Sequence, residues 1–305
     1  MKVTVSQAAD LLLGGSIVAM PTDTVYGLAA SLQSLSAVEK LFLLKKRPKS
    51  NPLVIQIAKV DVLDFFLDTI PDGFFPLAER FWPGGLTLVM PIRLSSVPEL
   101  VRSGLSSAAF RIPNHSIALE LLKKSGPLAV PSANRYGNPP ATCAKHVEND
   151  FGMDFPVIDG GDAKKGLEST ILSYSGHKWV LERMGTIVSE DFSDILGYIP
   201  QSSSKNKTEG SKGKSIKLRL HLRHREYDGS ISHVLGFDGR SYPSAKVTFL
   251  GSLSNPDSIS LNLYPALRSL EANQVGDVWV DMNFSMQGIL LAVASKLKKL
   301  AHSFE

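Results

Sequence analysis

Three arginines, a few hydroxyls and one amide carry most of the chemistry this chain offers. Arg47, Arg111 and Arg183 each stand beside a turn or at the end of an apolar run. A guanidinium donates in a planar fork that matches carboxylates and phosphates. For any one of the three, a surface salt bridge is a sufficient account. Taken with Ser132, Asn134 and Ser169, a cleft for an anionic ligand becomes the better one. Thr22-Asp23-Thr24 add two more hydroxyls and a carboxylate directly after an apolar run. No nucleophile paired with a base stands out, and no residue is assigned as acid or base. The inventory suits chemistry done by holding small reactants in line and neutralising charge.

These residues need elements to position them. Ser16–Met20 is apolar and β-branched and predicts a buried strand, ended by Pro21. A strand that breaks into hydroxyls, a carboxylate and Gly27 is where α/β proteins place ligand sites. An ordinary strand-to-helix turn, with the small residues after Gly27 leading into a helix, reads the same way. Further strands are expected at Leu53–Ile57, Leu86–Met90, Ala108–Ile112, Leu128–Val130, Val157–Asp159, Ser169–Tyr174 and Trp179–Met184. Helices are expected at Val5–Leu13, Val38–Lys46, Asp61–Leu67, Phe74–Trp82 and Ser116–Ser125, with Thr142 capping another that runs to Phe151. Pro131-Ser132-Ala133-Asn134 repeats the grammar of strand, proline and short polar residues. The alternation predicts an α/β fold with a twisted, partly mixed sheet over residues 1–200.

The 305 residues are 43% hydrophobic and 20% charged, enough for a packed core in one large domain or two ordinary ones. The net charge of +4 is compatible with nucleotides or RNA and demands neither. One cysteine, Cys143, excludes an internal disulfide and a cysteine-based zinc cluster. The start of the chain is too polar and short for a membrane span, and the expected location is the cytoplasm. Residues 201–225 read as a linker, polar and lysine-rich at first. Its Gly213-Lys214-Ser215 is no P-loop, because Thr208 stands where that motif needs glycine. HExxH, GxSxG and a strand-linked GxGxxG are absent as well. Lys217–Arg225 alternates leucine with cationic residues, as an edge strand or a cationic strap over an anion would. A small α/β domain is expected over 226–305, with strands at Lys246–Leu250 and Val278–Val280. Its first helix should start near Pro265 and its second carry Ile289, Leu290, Val293 and Leu297.

PTDTVYGL at Pro21–Leu28, LKKRPKSNPL at Leu44–Leu53, FWPGGLTLV at Phe81–Val89, FRIP at Phe110–Pro113, PSAN at Pro131–Asn134 and GLESTI at Gly166–Ile171 resemble the YrdC-like family in composition and order. The stretch LYPALRSLEANQVGDVWV, Leu263–Val280, resembles the C-terminal domain of that family's long form. The resemblance implies synthesis of threonylcarbamoyl-AMP. L-threonine and bicarbonate form a carbamate, which attacks the α-phosphorus of ATP and releases pyrophosphate. Mg2+ accompanies ATP, and no metal ligand comes from a protein motif. Downstream transferase proteins pass the group to the adenosine beside the anticodon of tRNA, and no membrane is involved.

Carried over motif by motif, the resemblance assigns Lys45, Arg47, Asn51, Ser107, Asn134, Thr142 and Arg183 to ATP. It assigns Thr24, Gln56, Arg111, Ser132 and Ser169 to threonine. Arg223 and His224 match part of a strap that folds over the nucleotide in the family's long form. Gln56 replaces a histidine common in that form, Pro140 replaces a serine, and the rest of the strap's pattern is missing. The contrasting reading is a non-catalytic RNA-binding module with a basic concave face, suggested by Lys205–Arg225.

Overall fold

The computed structural model describes residues 1–203 and 218–304. Most of the expected linker, with Gly213-Lys214-Ser215 and the lysines from Lys205, lies outside the described residues. The chain forms two compact units. The first holds residues 1–136, 140–164 and 168–203, and the second holds 137–139, 165–167 and 218–304. No helix among the described residues is long and apolar enough to cross a membrane.

Eight strands build the first unit: β1 Val18–Met20, β2 Gly27–Ser31, β3 Val54–Gln56, β4 Leu86–Pro91, β5 Ser107–Arg111, β6 Leu128–Ala129, β7 Thr170–Ser175 and β8 Lys178–Arg183. They lie in the order β1-β2-β6-β3-β5-β4-β7-β8. Only β3/β5 and β4/β7 are parallel pairs, so the sheet is mixed, as expected. Alternate residues face two cores. Val18, Met20, Ala29 and Leu128 bury against helices Val5–Leu13 and Ser116–Ser125. Ala19, Leu28, Ala30 and Ala129 face a larger core holding Val38, Leu41, Phe42, Phe74 and Phe110. Thr4 and Gln7 cap the first helix reciprocally, which satisfies two of its free N–H groups.

Three local expectations change. Gly27–Ser31 is not the approach to a helix but a strand antiparallel to β1. Every residue in it is buried, and small side chains let both cores close on it. Val157 makes only isolated bridges, to Lys2 and Ala19, and no strand forms there. Cys143, not Thr142, is the N-cap of the helix Ala144–Phe151.

The second unit is a parallel sheet of β9 Arg219–Arg223, β10 His233–Gly236, β11 Lys246–Phe249, β12 Asp277–Asp281 and β13 Ser303–Phe304. The order is β11-β10-β12-β9-β13. The leucines expected at the end of the linker therefore lie in an interior strand rather than an edge strand. Leu220 and Leu222 are buried, while Arg219 and His221 both bond Asp277 of β12. Two residues of the cationic face thus share one carboxylate inside their own sheet. Arg223 and His224 stand at the end of β9. The helix expected near Pro265 runs over Pro256–Ala272, with Pro256 in its first turn and Pro265 inside it. Its buried stripe of Ile259, Leu263, Leu267 and Leu270 spans the interior proline and outweighs one lost backbone bond. The short strand β10 had no clear sequence pattern.

At Gly27 the backbone passes so close to the neighbouring strand that a Cβ would stand 2.3 Å from Val130 Cγ1. Gly27→Ala should therefore destabilise the first unit by about 1–3 kcal/mol through overpacking. Urea unfolding should show part of the loss recovered in Gly27→Ala/Val130→Ala, and no recovery would mean the cost lies elsewhere.

Candidate active site

The cleft opens where β1 ends. Thr22 shapes the turn after Pro21: its hydroxyl donates to the Val25 carbonyl at 2.6 Å and accepts from the Thr24 and Val25 amides. That turn presents Asp23 and Thr24 to Arg111, the last residue of β5. Arg111 Nη1 donates to Thr24 Oγ1 at 2.6 Å and Nε to the Gly84 carbonyl at 2.8 Å. Nη2 pairs with Asp23, whose carboxylate also accepts from the Asn114 amide. Both charged side chains are almost wholly buried. Burial pushes the Arg111 guanidinium below the ordinary arginine range, and the Asp23 charge works against that shift.

Gln56 closes β3 beside Arg111, with which it is in register. It is buried, and its Oε1 finds no hydrogen-bond partner among the described residues. Ser169 enters from the far side. Its hydroxyl lies 2.7 Å from Thr87 Oγ1, and Arg183 grips its carbonyl through Nε at 3.1 Å and Nη2 at 2.9 Å. Gly185 permits this close packing, since a Cβ there would meet the Glu168 carbonyl at 2.2 Å.

The PSAN segment forms the next wall. Leu28 N donates to the Pro131 carbonyl and Ala133 N to the Tyr26 carbonyl, which straps the segment along the chain that leaves the threonine turn. The Tyr26 hydroxyl donates to the Gly161 carbonyl and accepts from the Gly160 amide, which anchors the ring below. Lys45 Nζ donates to the carbonyls of Ser132 at 2.5 Å and Asn134 at 2.6 Å. Burial, with Arg47 nearby, pushes the Lys45 ammonium down to about 7. Arg47 bonds the Asn51 carbonyl, Asn51 Oδ1 and the Pro52 carbonyl. Burial lowers it to about 10, with Arg183 adding to the shift.

Every residue assigned to threonine lines one cavity: Thr24, Gln56, Arg111, Ser132 and Ser169. Arg47 and Arg183, from the ATP set, line it too. Lys45, Asn51 and Asn134 stand behind it and hold lining residues in place. Ser107 and Thr142 are not brought to it. Ser107 starts the strand that Arg111 ends, so about 13 Å separates the two at 3.3 Å per residue. Thr142 bonds His146 instead. Asp23, Thr22 and Thr87 went unassigned, and so did Glu168, which lines the cavity. The short polar run after a buried strand marked the first two. The hydroxyl of Thr87 inside an apolar run gave little signal.

The cavity's cations differ in their partners. Arg111 is neutralised by Asp23, whereas the bonds of Arg47 and Arg183 go to carbonyl, amide and hydroxyl oxygens. Those two guanidiniums line the cavity together with the Glu168 carboxylate, and their planar forks suit phosphates. The Arg111 fork still holds unused N–H donors beside Gln56, in a pocket suited to a small polar zwitterion.

The Sua5/YciO/YrdC family model, described as "Telomere recombination", matches residues 10–185. Threonylcarbamoyl-AMP synthase of Bacillus subtilis (strain 168) is 33% identical over 97% of this chain and 92% of its own length. The protein of the same name from Pyrococcus abyssi (strain GE5 / Orsay) is 35% identical over 96% and 92%. A crystal structure of P. abyssi Sua5 complexed with L-threonine superimposes with a TM-score of 0.88 at 31% identity, covering 99% of this chain and 97% of that one. Motif order, mixed sheet, cleft and nearly full-length likeness agree: the chain belongs to the Sua5/YrdC family, in its long two-domain form.

Proposed function

We propose that this protein is a threonylcarbamoyl-AMP synthase, converting L-threonine, bicarbonate and ATP to threonylcarbamoyl-adenylate and pyrophosphate. The reading rests above all on one observation: the residues assigned to threonine converge on one cavity that Arg47 and Arg183, held by neutral oxygens, also line. The relatives named threonylcarbamoyl-AMP synthase, and the one solved with L-threonine, support it.

In this account the threonine carboxylate takes the unused N–H groups of Arg111. Gln56, Thr24 and Ser169 offer hydrogen bonds to the amine and hydroxyl. The amine adds to the carbon of bicarbonate and water leaves, giving the carbamate. A carbamate oxygen then attacks the α-phosphorus in line, the bond to the β-phosphate oxygen breaks, and pyrophosphate departs. Arg47 and Arg183 balance the charge that gathers on the phosphate oxygens. The nucleophile is already anionic, so no protein group has to be alkylated or acylated.

Magnesium enters with ATP as part of the substrate. Among the described residues no cluster of three His, Cys, Asp or Glu side chains is placed to hold an ion. The chemistry makes the enzyme a nucleotidyl transferase. Its product is a reactive mixed anhydride, which a tRNA-modifying transferase in the cytoplasm would consume.

Pyrophosphate release by the purified protein should require L-threonine and bicarbonate together with MgATP. Release that ignores threonine would remove the assignment. Asp23→Asn should lower kcat/KM for threonine about 100-fold while moving the KM for ATP little, because the Arg111 fork loses its buried counter-charge. Breaking such a pair also costs about 3–5 kcal/mol of stability, so assays belong well below the variant's melting temperature. An unchanged threonine KM in a folded variant would mean that Asp23 does not orient Arg111.

A further inference from the structure

Two short loops, residues 137–139 and 165–167, belong to the second unit although they interrupt the sequence of the first. Each continues along the chain into the threonine cavity. The first follows the PSAN segment, whose Ser132 lines the cavity. The second runs directly into Glu168 and Ser169, which line it too.

Both loops have fixed bases. Ala141 N donates to the Ala133 carbonyl at 3.1 Å and closes the first. Its Pro139 and Pro140 carry no N–H, so carbonyl oxygens are what the backbone there offers a partner. The second leaves a bond from Ala163 N to the Thr142 carbonyl at 2.8 Å and ends at Glu168, whose carbonyl accepts from Thr186 N at 3.1 Å.

Both tips rest on the helix Pro256–Ala272. Ser260, Tyr264 and Arg268 recur every four residues and share one face of it. Arg268 Nη2 donates to the Pro139 carbonyl at 2.6 Å. The Ser260 hydroxyl is buried, 3.0 Å from the Lys165 carbonyl and 2.9 Å from that of Asp257. Gly166 lies against the helix backbone itself. A Cβ there would stand 2.4 Å from the Ser260 carbonyl oxygen and 2.5 Å from Leu261 Cα, and its φ of +71° is left-handed as well. Close approach and backbone conformation both ask for glycine. Leu167 beside it is fully buried. A loop ordered in advance does not charge its ordering to the ligand.

We propose that this helix is the positioning element for two walls of the threonine cavity, acting through Arg268 on the PSAN side and through Gly166 on the Ser169 side. None of these residues meets the reacting atoms. They fix the backbone from which Ser132 and Ser169 reach the substrate, and small displacements there weaken binding without altering the chemical groups. The choice of threonine as the ligand affected rests on the synthase reading.

Steady-state pyrophosphate release by the full-length protein, with amide hydrogen exchange alongside, tests this. Arg268→Ala should raise the KM for threonine about tenfold, the worth of one hydrogen bond from a charged donor, while kcat stays close to the wild-type value. Arg268→Lys, which can still donate to a carbonyl, should recover most of the loss. Without substrate, the Ala141 amide should exchange faster in Arg268→Ala and the Thr186 amide should not. Gly166→Ala should quicken Thr186 and leave Ala141 alone. An unchanged threonine KM in Arg268→Ala would overturn the proposal whatever the exchange shows, and so would a fall in kcat alone that Arg268→Lys does not repair. Wild-type pyrophosphate release that ignores threonine would overturn the synthase reading instead, with Ala141 exchange still deciding whether Arg268 holds its loop.

Discussion

The site hangs on a buried ion pair. Arg111 and Asp23 come from strand ends far apart in sequence and meet almost wholly out of water. Removing two charges from water costs several kcal/mol per ion, and their attraction offsets this only when further hydrogen bonds complete both groups. Thr24 and the Gly84 carbonyl each take one donor of Arg111, and the Asn114 amide donates to Asp23. Such a pair adds little net stability. It does give a guanidinium held in one orientation at the cavity wall.

Much of the rest of the first unit serves that orientation. The Thr22 turn sets Asp23 and Thr24, and the strand after Gly27 runs close enough to Val130 to tie in the PSAN segment. Lys45 reaches from its helix to the carbonyls of Ser132 and Asn134 and acts as a brace rather than as part of the cavity wall. Charge is sorted by the same framework. The buried arginine is matched by a carboxylate, while Arg47 and Arg183 are held by neutral oxygens. A zwitterionic amino acid and a polyphosphate make these two different demands on adjacent parts of one cleft.

The sequence was most legible where residue type and position coincide. Thr24 and Ser132 follow apolar runs and Ser169 opens one, and all three line the cavity. Gly27–Ser31 was illegible as a strand because small residues buried on both faces show no alternation. Asp23 lacked a visible role because its partner lies 88 residues away. Ser107, assigned to ATP, opens the strand that Arg111 ends and so stands about 13 Å along it from the threonine pocket. The leucine–cation alternation of β9 correctly marked a two-faced strand. Its counter-charge at Asp277 depended on sheet order, which no local pattern carries.

The central claim is that the held Arg111 fork makes a carboxylate subsite for threonine. Calorimetric titration of the wild-type protein with L-threonine and with L-threoninol, which lacks only the carboxylate, tests this most directly. Loss of a charge-assisted bidentate contact should weaken binding of the alcohol by at least about tenfold. Equal affinities for the two would contradict the account and detach Arg111 from the ligand.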